Sequence, residues 1–176
     1  MVNLDGIPNT RGFHHQIDKT DVDAMAEHLA GFLDHRRRAT TAQRRPDSLD
    51  GLARRRAAMN PRLPVEWLRY LVTVGARRDD EGWRWKIDPS MRFGPTGPFR
   101  PEWSMPRMRG LGQPMLGVIG SEFEEMGWGT TPEEAAITLP PHAEFHVLDG
   151  VGHFVHIECP DRVAGLVLDF LERHGC

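Results

Sequence analysis

Cysteine is scarce: Cys159 and Cys176 are the only two among 176 residues. Two thiols, one of them at the last position, make no disulfide framework, so both read as free thiols in a reducing compartment and the fold must rest on a packed core. Long apolar runs are missing too. No segment approaches the roughly 20 residues a membrane-spanning helix needs, and no membrane contact is expected. Residues 1–10 lack a basic stretch followed by an apolar one, so no signal peptide is visible and the expected location is cytoplasmic. Positive charge is not in excess. A net charge of −3 gives no general attraction to nucleic acid or anionic lipid. Internal repeats and low-complexity tracts are also absent.

What is present suits one globular domain with a real core: 39% hydrophobic and 27% charged residues. Residues 1–4 read as the back half of a buried strand, followed by a turn at Asp5-Gly6-Ile7-Pro8-Asn9. Val22, Met25, Ala26, Leu29, Phe32 and Leu33 repeat at helical spacing, which predicts a helix over 21–37, capped by Thr20 or Asp21 and ending in Arg36-Arg37-Arg38. A second helix is expected from Ser48 through Met59 and a third over 65–76, with Trp67, Leu68, Leu71 and Val72 on one face. Residues 77–82 read as a charged turn, 83–87 as a short strand, and 91–112 as loop with one turn of helix. A buried strand follows at 114–119, then a short helix over 132–137 with Thr130 or Thr131 as its cap. Alternating residues 144–148 give a last strand, and Val163, Leu166, Val167, Phe170 and Leu171 give a last helix.

Between that strand and that helix lies Gly150-Val151-Gly152-His153-Phe154. Flanking glycines permit a tight turn, so His153 stands just past the C-terminal edge of a strand, where open α/β sheets place their chemistry. The run Gly152, His153, Phe154, Glu158, Pro160 and Val163 resembles the histidine segment of the α/β-hydrolase family. The element order of the whole chain is similar to that family's C-terminal half. The resemblance implies an α/β fold of three parallel strands with crossover helices and a mostly helical cap insertion. Its divisions would be 1–12 (end of strand six), 13–112 (cap) and 113–176 (C-terminal core with the histidine turn).

The family works by a nucleophile, an acid and a histidine, with the nucleophile on a G-x-S-x-G elbow. No such motif occurs in these residues. Of the serines, only Ser121 follows a buried strand, and Ile119 and Phe123 flank it in place of glycines. The expectation is therefore a truncated or split form, inactive alone, whose His153 would be the general base. The acid is open between Glu122 and Asp5, with Glu124 behind them; each also reads as plain turn chemistry or a solvated acidic turn. The resemblance implies hydrolysis of a small, fairly apolar ester, amide, epoxide or similar substrate, with no cofactor.

Three weaker constellations remain. His142, His146, His153 and His156 complete no metal motif. Trp67, Trp83, Trp85, Trp103 and Phe99 could line an apolar pocket or simply pack. Arg36-Arg37-Arg38, Arg44-Arg45 and Arg54-Arg55-Arg56 would suit nucleic acid only if gathered on one face; solvated helix surfaces are the simpler reading, and no nucleic-acid partner is expected. The rival to a hydrolase is a non-catalytic remnant, or an interaction module that pairs through the open strand edge at residues 1–4, with self-association or a partner chain there.

Overall fold

The computed structural model describes residues 1–9, 22–41, 44–93, 101–124, 127 and 129–175. The expected caps Thr20 and Asp21, and also Phe99 and Cys176, lie outside them. Two compact units emerge, Met1–Phe13 with Arg100–Cys176 and, inserted between, His14–Phe99. Residues 100–112, grouped with the cap in the sequence reading, cluster with the first unit.

The first unit is built on three parallel strands, β1 (Val2–Leu4), β4 (Leu116–Gly120) and β5 (Glu144–Leu148), in the order β1-β4-β5. The register sets Val2 beside Leu116 and Leu4 beside Val118, then Leu116 beside Glu144 and Gly120 beside Leu148. Side chains of β4 alternate between two buried faces. Leu116 and Val118 join Leu148, Val155, Val163 and Phe170 on one; Met115 and Ile119 join Ile7, Ala135 and Leu139 on the other. A strand covered on both sides reads as a continuous apolar run, which is why β4 was legible in the sequence. Each fully buried residue of this size contributes about 1.5–3 kcal/mol.

Helix α7 (Pro160–Arg173) covers the first face with Val163 and Phe170. The second is covered by α5 (Pro132–Thr138) with Ala135. Helix α4 (Pro101–Arg109) packs against α5, with Met108 reaching the same cluster. Thr131 is the α5 cap, in a capping box: its hydroxyl accepts the Glu134 N–H at 3.3 Å, and the Glu134 carboxylate accepts the Thr131 N–H at 2.9 Å. Thr130 does different work. It donates to the Ile7 carbonyl and accepts from the buried Asn9 amide at 3.0 Å, which ties the chain leaving β1 to the start of α5.

The second unit holds α1 (Val22–Ala39), α2 (Leu49–Met59), α3 (Val65–Gly75) and an antiparallel hairpin of β2 (Ala76–Asp79) and β3 (Gly82–Trp85). Ser48 caps α2 as expected, accepting the Gly51 N–H at 2.9 Å. Leu52 packs in α2, and Leu68 and Val72 in α3. Strand β2 differs from the charged turn expected over 77–82. Its Arg77, Arg78 and Asp79 are exposed, so no buried alternation marked it as a strand. The apolar stripe of α1 is not buried either, with Leu29 and Leu33 exposed. No helix among the described residues is long and apolar enough to cross a membrane.

Candidate active site

The site forms where the ends of β1, β4 and β5 come together. At the end of β1, the Asp5 N–H continues the ladder by donating to the Val118 carbonyl at 2.7 Å. Asp5 then takes φ 52°, a left-handed conformation that aspartate tolerates better than most residues. The Asn3 side chain closes the turn by accepting the Gly6 N–H at 2.8 Å. The tight geometry leaves the Asp5 carboxylate 13% exposed and aimed at the turn that follows β5.

That second turn is stitched to the end of β4. The Ser121 N–H donates to the Leu148 carbonyl and the Glu122 N–H to the Val151 carbonyl, both at 3.0 Å. The Ser121 hydroxyl accepts the Gly150 N–H at 2.8 Å, so the serine that follows a buried strand serves the loop. Gly120 permits the close approach: a Cβ there would stand 2.1 Å from the Val151 carbonyl oxygen and 2.5 Å from that of Gly152. Gly152 donates to the Glu158 carboxylate at 3.1 Å, which gives the glutamate of the histidine motif a structural reason. Helix α6 (Val155–Glu158) starts directly after Phe154 and buries Val155.

These turns bring His153 and Asp5 together across 148 residues of sequence: Nδ1–H donates to Asp5 Oδ2 at 2.6 Å. A carboxylate on Nδ1 fixes the tautomer and leaves Nε2 as the basic nitrogen. Glu124 acts on the backbone instead. It is buried, and its Oε2 accepts the His153 N–H at 2.6 Å; its Oε1 has no hydrogen-bond partner among the described residues. Gly127 lies against the ring, where a Cβ would come within 3.2 Å of Nδ1. The Asp5 hydrogen bond raises the His153 pKa above the ordinary imidazole range; burial opposes it, and the charges of Asp5 and Glu124 add to it.

Of the acids weighed in the sequence, then, Asp5 meets the ring and Glu124 meets the backbone beside it. Glu122 is exposed and meets neither; its carboxylate accepts from the Ser121 hydroxyl at 3.3 Å. The parts that sequence reading missed are Asn3, Gly120, Gly127 and the Asn9–Thr130 tie. Gly120 ends a buried strand, which is the one signal that could have marked it. Among the described residues no three His, Cys, Asp or Glu side chains gather as metal ligands. Of the aromatic residues considered for a pocket, Trp83 and Trp85 sit on β3, while Trp67 pairs edge-on with Tyr70 at 5.5 Å on α3.

Solved structures share this architecture. A thioesterase domain from the curacin biosynthetic pathway aligns at TM-score 0.70 and 19% identity, over 96% of this chain and 56% of that one. An E-2-(acetamidomethylene)succinate hydrolase aligns at 0.58 and 18%, over 84% and 53%. An esterase of Mycobacterium tuberculosis aligns at 0.57 and 21%, over 89% and 52%. The chain has the α/β-hydrolase fold, and spans about half the length of the solved structures it matches. No protein-family model and no curated protein matches the sequence.

Proposed function

We propose that the chain supplies the base and the acid of a nucleophile–histidine–acid hydrolase. The contact of His153 Nδ1 with Asp5 Oδ2 at 2.6 Å carries the reading. His153 is the general base, Asp5 the acid that orients it, and Glu124 a positioning residue that holds the turn through its backbone. The nucleophile lies outside these 176 residues, since none of their serines stands in a G-x-S-x-G elbow. The esterase, thioesterase and hydrolase neighbours favour an ester or related acyl substrate.

In this mechanism Nε2 takes the proton of the nucleophile's hydroxyl as its oxygen bonds the substrate carbonyl carbon, and Asp5 stabilises the imidazolium that results. The imidazolium then gives that proton to the leaving oxygen as its bond to carbon breaks. A water, deprotonated in turn by Nε2, releases the acid and restores the nucleophile. The test is ester hydrolysis by this chain together with the segment that carries the elbow, joined or mixed. His153→Ala is expected to lower kcat/KM by about 10³-fold or more, and Asp5→Asn by a comparable factor. Full activity in either variant would overturn the reading.

A second reading rests on β1, whose other edge pairs with no strand among the described residues. An open edge recruits a further strand, so the isolated chain would self-associate or bind a partner chain there. Light scattering is expected to show mass rising with concentration. A strictly monomeric chain would remove the support for this reading.

A further inference from the structure

The second unit carries a half-open cavity of about 450 Å³, within the size range of small-molecule sites. Cations dominate its wall. Arg36 comes from the end of α1, Arg44 from the linker after it, Arg77 from β2, and Lys86 follows β3. Asp88 is the one carboxylate among the lining residues.

The bonds of these cations separate structure from surplus charge. Arg84, also on the wall, is buried and fully engaged: it donates to Asp79 at 2.7 Å, to Glu81, and to the Arg44 carbonyl at 2.7 Å. Arg36, Arg44 and Lys86 donate to neutral oxygens. Arg36 bonds the Ser90 hydroxyl at 3.0 Å, Arg44 the Ile87 and Asp88 carbonyls at 3.2 Å, and Lys86 the Val74 carbonyl at 2.9 Å. Arg77 faces Arg84 directly across the hairpin, a like-charge pairing that weakens a sheet. The charges of Arg36 and Arg44 also act on Asp88, but the four cations outnumber that one carboxylate among the lining residues and, converging on one concavity, focus positive potential into it.

We propose that this cavity binds a small phosphate-bearing molecule, a phosphate ester or a diphosphate, with Arg36, Arg77 and Lys86 on its oxygens. Donors arriving from separate elements suit a tetrahedral, multiply charged group better than a planar monocarboxylate. Guanidinium groups also match phosphate oxygens in pairs. Trp85, on the same wall, supplies apolar surface for the organic part. The site uses no residue of the His153 turn and stands independently of the proposed hydrolysis.

Calorimetric titration of the 176-residue chain with inorganic pyrophosphate tests it, with citrate as the carboxylate comparison. Saturable 1:1 binding is expected, with Kd below about 1 mM, weakening as salt is added. Arg77→Gln should weaken it about tenfold while leaving the ligand-free melting temperature unchanged or higher, because a repulsion is relieved. A merely structural arginine would instead lower that temperature. His153→Ala should bind pyrophosphate like the parent chain. The proposal is overturned by no saturable heat up to about 10 mM, by equal affinity in Arg77→Gln, or by citrate binding the tighter. If Arg77→Gln fails to fold, Lys86→Gln is read the same way.

Discussion

His153 and Asp5 were legible in the sequence to different degrees. Two glycines and a following Glu-x-Pro marked His153 as a residue presented on a turn. Asp5 could not be separated from Glu122, because both follow a strand and both stand beside turn residues. What separates them is the pairing of β1 with β4 and the turn at Asp5 φ 52°, which aim one carboxylate at the ring. The raised His153 pKa has a definite sign. The folded chain holds the proton more tightly than the unfolded chain, so this contribution to stability is fully present below about pH 6.5 and is lost as pH rises through the raised value. Urea unfolding across pH is therefore expected to show the parent chain's advantage over His153→Gln shrinking as pH rises. In the completed hydrolase the base must be neutral to accept a proton. The acid limb of kcat/KM is thus expected above the ordinary histidine value, and Asp5→Asn should move it down.

Among the elements, β4 and α7 could be read because burial imposes a pattern, continuous in the one and helical in the other. Strand β2 could not, because three of its four residues face solvent and only hydrogen bonds to β3 define it. The close approach at Gly120 was equally hidden, since it depends on a loop about 30 residues further on. Gly120→Ala is expected to cost about 3 kcal/mol or more, through collision with backbone rather than with a movable side chain; chemical denaturation measures it. Phe170→Ala should cost about 3–5 kcal/mol, since it empties a fully buried ring site against β4. Thr131→Ala should cost about 1 kcal/mol, the usual loss for a helix cap.

For the molecule as a whole, the strand–helix–strand order pointed to parallel crossovers, and the family resemblance implied three parallel strands with a helical insertion. The order could not foresee that residues 100–109 join the sheet unit, since α4 carries Pro106 and a polar composition that reads as loop. The sheet unit joins residues from both ends of the sequence, and the two halves of the His153–Asp5 pair arrive one from each. That closure is what makes the proposed hydrolase chemistry available. NMR titration of the His153 ring in the 176-residue chain tests it most directly, with Asp5→Asn and Glu122→Gln run beside it. The expected result is a pKa above the ordinary imidazole value that falls back in Asp5→Asn and stays raised in Glu122→Gln. An ordinary value in the parent chain, or a fall in Glu122→Gln with Asp5→Asn unmoved, would contradict it.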